Sequence, residues 1–314
     1  MTRAFLFPGQ GAQTVGMGRD LAEAYPAARA VYDEVDEALG ERLSALIWEG
    51  EQETLTLTRN AQPALMATSM AVMAALRAEG VEVGAAAYVA GHSLGEYSAL
   101  AAAGALGLGD AARLLRLRGE AMQAAVPAGE GAMAALLGLG FEAVAEIAAE
   151  AAQDGVCAAA NDNDPAQVVI SGDRAAVERA VEIAKLQGAK RAVMLPVSAP
   201  FHCSLMQPAA EAMAAALSEV AFHAPAVPLV GNVTAEASSD PDAIRARLVE
   251  QVTGRVRWRE SVGYMAAQGV TETWEIGAGK ALSGMVKRID RSLEARTVGT
   301  PAEVQAASGA FGDA

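Results

Sequence analysis

The sequence is poor in several residue types, and each shortage closes off a class of protein. Only two of its 314 residues are cysteine, Cys157 and Cys203. That is too few for a disulfide framework or a thiolate metal cluster, and it suits a reducing compartment. Lysine and arginine number 24 against 38 aspartates and glutamates, giving a net charge of −14. This argues against nucleic acid as a partner, though not against a local basic patch for an anionic ligand. No uninterrupted apolar run is long enough to span a bilayer, and the apolar piece at 4–7 is too short for the core of a signal peptide. The expectation is a soluble, cytoplasmic chain with no membrane partner. Only three histidines occur, His92, His202 and His223, so any chemistry that needs an imidazole has three candidates.

What is present is a chain 52% hydrophobic and 20% charged, able to bury a large core. Residues 3–7 (RAFLF) read as a buried strand, followed by a glycine-rich loop, PGQGAQTVGMG. Helical periodicity covers 19–39, with Pro26 as an interruption. A helix at 62–78 has Pro63 in its first turn and Gly80 past its end. A strand at 85–91 leads into a helix from about Leu94, and another helix covers 109–126, with Asp110 as its N-cap. Between 127 and 198 the order becomes strand, helix, strand, strand, helix, strand, the split ferredoxin-like pattern. Beyond it come a helix at 204–220, a strand at 227–233, a helix at 242–252, and strand, glycine turn and helix over 272–289. This predicts an α/β fold: residues 1–126 and 199–314 form a mostly parallel sheet covered by helices, and 127–198 form an inserted ferredoxin-like (βαββαβ) subdomain.

Gly91-His92-Ser93-Leu94-Gly95 stands where a strand turns into a helix. In that context Gly-x-Ser-x-Gly is a nucleophile-elbow pattern, with the Leu94 amide placed for a developing oxyanion. His92 leaves the backbone in a different direction from its neighbour and reads as structural. His223, among prolines, reads as a surface or satisfied core residue. His202 lies in a loop returning to the main domain and is the best general base. No carboxylate is obviously placed behind it, and an orienting backbone carbonyl could serve instead. The loop after the first strand fails as a dinucleotide fingerprint, because Thr14 stands where glycine is needed. It also lacks a phosphate-loop lysine. Its backbone at Gln10 can supply a second oxyanion donor. Arg118 is the anomaly. It shares a helix face with Leu114, Leu117, Ala121 and Met122, whereas Arg116 pairs with Glu120 on the wet side. A guanidinium on an apolar face is either an internal salt bridge, a snorkelling stem, or a clamp for a substrate carboxylate.

Together FPGQGAQTVGMG, GHSLGEYSAL, Arg118, APFHCSLM and QVTGRVRW resemble the malonyl-CoA:acyl carrier protein transacylases, over most of the chain to about residue 290. The resemblance implies an α/β-hydrolase-like core with an inserted ferredoxin-like subdomain. It implies Ser93 as nucleophile and His202 as base, the latter held by a backbone carbonyl in the segment containing Gln251. The oxyanion donors become the amides of Gln10 and Leu94. Arg118 becomes the malonyl-binding residue, joined by Met122 and Phe201 in the substrate set. The Phe201 of Ala199-Pro200-Phe201-His202 favours malonyl, while the first two positions depart from the usual motif. The implied partners are malonyl-CoA and acyl carrier protein, with no metal or redox cofactor and a monomeric chain. A basic rim for these acidic partners is expected at Lys185, Lys190 and Arg191, or at Lys280, Lys287 and Arg288. Three other readings share the elbow or the partner: a discrete acyltransferase of polyketide synthesis, a serine thioesterase or esterase, and a non-catalytic carrier-docking module.

Overall fold

The computed structural model describes residues 1–197 and 199–312. Ser198 and residues 313–314, which close the two expected segments, lie outside the described residues. Arg3–Phe7 (β1) is buried along its whole length, as a central strand of a parallel sheet must be. It pairs on one side with Tyr88–Gly91 (β2), Ala4 opposite Tyr88 through Phe7 opposite Gly91. On its other side lies a strand at Glu272–Ile276, also fully buried. Because β1 and β2 run parallel and in register, the loops that follow Phe7 and Gly91 emerge side by side at one sheet edge. That edge is where open α/β sheets place their sites.

Chain-order numbering continues with an antiparallel set: Gly131–Leu137 (β3), Cys157–Asp164 (β4), Gln167–Asp173 (β5) and Arg191–Met194 (β6). Its spatial order is β4-β5-β3-β6, and every neighbour is antiparallel. The helices Phe141–Ala152 and Arg174–Leu186 pack on it through an apolar cluster of their own, which includes Leu136, Ile147, Ile170 and Val177. The larger sheet adds Leu229–Val230 (β7), Ala237–Ser238 (β8), Glu272–Ile276 (β9) and Glu294–Val298 (β10). Its order is β10-β9-β1-β2-β7-β8, parallel throughout except β7 with β8. The molecule is thus an α/β protein with a parallel-rich sheet and a separate antiparallel one. The antiparallel sheet is tied to the rest of the chain where Val256, in the loop between helices Pro241–Thr253 and Trp258–Ala267, donates its N–H to the Ala160 carbonyl of β4 and accepts from the Asp162 N–H. Arg259 on Asp162 and Arg288 on Asp164 reinforce the seam.

Several local expectations shift. The strand expected over 227–233 contracts to two residues, since Pro228 donates no ladder hydrogen bond. β10 and the Pro301–Gly312 helix were not anticipated. The strand expected to run to Ser198 stops at Met194. The helix around Pro63 begins earlier, at Thr58, so Pro63 lies in its second turn. Proline there leaves the Arg59 carbonyl without its usual helical donor, and Arg116 Nη1 donates to that oxygen at 2.6 Å. Arg116 also reaches Asn60 at 2.5 Å and pairs with Glu41, not with Glu120 as expected. The Leu108–Ala124 helix is N-capped by Gly107, and Asp110 sits inside its first turn, paired to Arg113. Its buried face carries Leu114, Leu115, Arg118, Gly119 and Met122. Leu117, expected on that face, is exposed.

Candidate active site

The turn after β2 is built by two close approaches. A Cβ at Gly91 would overlap the backbone of Gly95, and one at Gly95 would overlap the Phe7 carbonyl. The glycines let strand, turn and helix stack this tightly, and the turn puts Ser93 at φ 54°. For a residue other than glycine, left-handed backbone is strained by about 1–3 kcal/mol unless its surroundings hold it. Asn232 supplies that hold. It is fully buried; its Oδ1 accepts from the Ser93 N–H at 2.7 Å, and its Nδ2 donates to the Gly91 carbonyl at 2.7 Å. Glu96, in the first turn of the following helix, accepts in turn from the Asn232 backbone N–H at 2.8 Å.

His202 comes to the elbow from 109 residues away, and its Nε2 lies 2.7 Å from Ser93 Oγ. Its Nδ1 lies 2.9 Å from the Gln251 carbonyl and 3.2 Å from that of Gly254. Carbonyls only accept, so Nδ1 carries the proton and Nε2 is left to accept from the serine hydroxyl. Burial, and then the charge of Arg118, lower the His202 pKa from 6.5 to about 3, so the ring is neutral. His92 turns away: its Nε2 lies 2.8 Å from Asn163 Oδ1 and its ring packs near Trp258. His223 is exposed.

Arg118 is 1% exposed. Its Nη1 donates to Gln62 Oε1 at 2.7 Å, and its Nη2 to Gln251 Oε1 at 2.8 Å and Ser93 Oγ at 3.2 Å. Among the described residues no carboxylate lies within ion-pair distance of it. The salt-bridge and snorkelling readings therefore both fail, and a buried cation beside the serine is held by neutral oxygens and by the face of the Tyr97 ring, 5.9 Å from its centroid. Gln251 is fully buried, and its Nε2 donates to the Ser93 carbonyl at 2.8 Å and to Glu96.

These side chains line a cavity of about 340 Å³. Gln10, Leu94, Met122, Phe201 and His202 all face it with Ser93 and Arg118, as do Leu195–Val197 just beyond β6. Every site residue named from the sequence except Gln251 lines this one cavity, and Gln251 lies behind it. Among the described residues, no three His, Cys, Asp or Glu side chains are grouped as metal ligands.

Residues 4–298 match the family described as the acyl transferase domain. A malonyl CoA-acyl carrier protein transacylase of Bacillus subtilis is 48% identical over 305 residues, 97% of this chain and 95% of that protein. The chain belongs to this transacylase family. The crystal structure of an acyl-carrier-protein-S-malonyltransferase from Bartonella henselae superposes with a TM-score of 0.97 at 56% identity, covering 99% of this chain and 100% of that one. A further relative is a malonyl-transacylase in complex with a type II polyketide acyl carrier protein. It has a TM-score of 0.96 at 42% identity and covers 99% of this chain and 100% of that one.

Sequence reasoning missed three residues of this transacylase site: Asn232, Glu96 and Gln62. Asn232 and Gln62 reach the elbow and Arg118 from distant segments, and no local spacing marks them; Glu96 stands beside the elbow but is joined to the site through Asn232 and Gln251. Glu96 alone left a trace, as a carboxylate in an otherwise apolar helix start. Of the expected basic rim, Lys185 is tied to Glu182 and Arg288 to Asp164. Lys280 faces a separate hollow between the segment 14–23 that follows β1 and the loops after β9 and β10. Lys190 and Arg191 are exposed on the approach to β6, whose continuation lines the cavity.

Proposed function

We propose that this chain transfers the malonyl group of malonyl-CoA to the phosphopantetheine thiol of an acyl carrier protein, supplying extender units for fatty acid synthesis. The observation that carries the reading is Arg118, a buried guanidinium held by neutral oxygens 3.2 Å from the hydroxyl of Ser93. Such a cation is costly unless an anion meets it, and the malonyl carboxylate is that anion. His202 takes the Ser93 proton at Nε2 while Oγ attacks the thioester carbonyl. The Gln10 and Leu94 amides hold the oxyanion, with Met122 and Phe201 walling the acyl group. CoA leaves as the thiol, taking the proton from His202, and a malonyl ester remains on Ser93. The carrier thiol then repeats the sequence: His202 receives its proton, sulfur attacks the ester, and Ser93 leaves with the proton restored. Every step is proton transfer or acyl exchange, so the cycle calls for no metal or redox cofactor.

The same reading takes residues 127–198 as an inserted subdomain within a core formed by 1–126 and 199–314, and the enzyme as a monomer of the cytoplasm. Among the described residues no helix is long and apolar enough to cross a membrane. A second reading has specific support: the relative solved with a polyketide carrier makes a polyketide carrier protein the alternative acceptor for the same chemistry. Intact-mass measurement tests the proposal. Malonyl-CoA should add one malonyl group to the parent and none to Ser93→Ala, and holo carrier protein should discharge it. An adduct that forms equally on Ser93→Ala, or that water removes as fast as carrier does, would favour a different nucleophile or a hydrolase.

A further inference from the structure

We propose that Glu96, a carboxylate that touches neither the nucleophile's hydroxyl nor the base, sets malonyl selectivity by fixing which way the Gln251 amide points and thereby giving Arg118 an acceptor. This inference rests on the malonyl-transfer reading. An amide can be turned either way in its pocket, and its neighbours decide. On one side Gln251 meets Glu96, 3% exposed, and on the other Arg118. A carboxylate can only accept, so Gln251 presents Nε2 to Glu96 and to the Ser93 carbonyl, and Oε1 to Arg118. Glu96 itself cannot turn away, because its other oxygen accepts from the Asn232 N–H at 2.8 Å. The chain Glu96, Gln251, Arg118 thus hands a negative charge one amide along to a guanidinium that has no carboxylate of its own. In this role Glu96 is a positioning residue.

Replacing the carboxylate by an amide of the same shape, Glu96→Gln, reverses the logic. The new side chain would keep its oxygen on the Asn232 N–H and turn its NH2 toward Gln251. Gln251 would then have to turn its oxygen to that NH2 and its own NH2 to Arg118, donor against donor. Loss of a hydrogen bond to a charged group lowers the associated equilibrium by about tenfold or more. The charged and titratable groups facing Glu96 are Arg118 on the Leu108–Ala124 helix, Arg247 on the Pro241–Thr253 helix, and Tyr97 on its own helix. Burial pushes Glu96 up to about 7 and Tyr97 far above it, and it lowers Arg118, whose guanidinium as a class keeps its proton in proteins. Of Glu96 and Tyr97, only Glu96 changes charge near neutrality.

The test is the malonyl-to-acetyl ratio of kcat/KM, measured across pH 6–8.5, about the range in which a group with this pKa titrates. The ratio cancels whatever the shared CoA portion contributes. In the parent it should rise with pH as the carboxylate forms. In Glu96→Gln it should be lower by about tenfold or more at the alkaline end, and flat. Should Glu96→Gln not fold, Gln251→Met interrupts the same relay while keeping the backbone carbonyl for His202, and the ratio should fall likewise. A parent that transfers malonyl, with a ratio unmoved by either variant, overturns the relay alone. A parent that transfers no malonyl overturns the relay and the functional reading together.

Discussion

Ser93, His202 and Arg118 were legible as single residues because each breaks a local rule. One is a serine between glycines at a strand end, one a histidine in a scarce set, one a cation on an apolar helix face. Asn232 and Gln62 break no such rule, and Glu96 leaves only a faint trace; what marks all three is a contact 139, 136 or 56 residues away. Two expectations belong at this scale. The Nε2 of His202 faces Ser93 Oγ and that of His92 faces Asn163. His202→Ala should therefore slow both half-reactions by about 10²–10⁴-fold, and His92→Ala by far less. Single-turnover acylation and deacylation rates decide, and a more damaged His92 variant would move the base. Arg118→Ala should lower malonyl transfer by more than about tenfold, the usual scale for an unpaired charged group at a binding site. Acetyl transfer should hold steady or rise, and Arg118→Lys should recover malonyl only partly, since an ammonium lacks the two-pronged fork. Equal losses for both acyl groups would make Arg118 merely structural.

Among elements, β1 and β2 were readable from their largely apolar runs and β9 from the glycine turn that follows it, while β10 was not. Its sequence EARTV is half-buried at the sheet edge and carries no apolar run. The helix pair Thr58–Ala78 and Leu108–Ala124 shows a second kind of hidden information. A proline frees a carbonyl in one helix and an arginine of the other helix takes it up, a pairing that neither segment reveals alone. The same contact passes through Gly119, where a Cβ would stand 2.5 Å from the Arg59 Cα. Gly119→Ala should push the helices apart and destabilise the protein by about 1–3 kcal/mol, as overpacking does. Gln62 and Arg118 lie on these two helices, so malonyl KM should rise more than acetyl KM. A urea titration and the two KM values check this. An unchanged urea midpoint would mean that the helices have more slack than the backbone distance allows.

For the whole molecule, the sequence order of strands and helices announced both sheets, but not how they are joined. The seam at Val256 depends on a bridge between residues 161 and 256, which no pattern along the chain encodes. Acid response is also a property of the whole. His202 is held neutral down to about 3, whereas in the unfolded chain it takes up a proton near 6.5. The unfolded state therefore binds more protons between those values, and stability falls with pH by up to about 1.4 kcal/mol per unit. Glu96 acts oppositely. Its native pKa of about 7 exceeds its ordinary 4.5, so across that window the native state binds the extra proton and gains as pH drops. The two offset each other between pH 6.5 and 4.5, leaving the net loss between 4.5 and 3. Urea midpoints against pH should show a plateau and then a fall. In Glu96→Gln the fall should begin near 6.5, the ordinary histidine value, and a parent curve that already declines from there would rule out the compensation.

The charge of Arg118 that helps to depress His202 also governs the enzyme's reactivity at rest. Without an anion beside the guanidinium, the imidazole is too weak a base to sharpen Ser93, so the serine should be chemically quiet. A neutral, carboxylate-free electrophile such as a fluorophosphonate should label it slowly. Burial remains the larger cause, but in Arg118→Ala the imidazole recovers the part of its basicity that the charge removes, and the same reagent should label Ser93 faster even though the variant has become a poorer malonyl transferase. Labelling and catalysis would then move in opposite directions. Serine-directed activity probes, which sort hydrolases by reactivity, would under-report this enzyme in its native form.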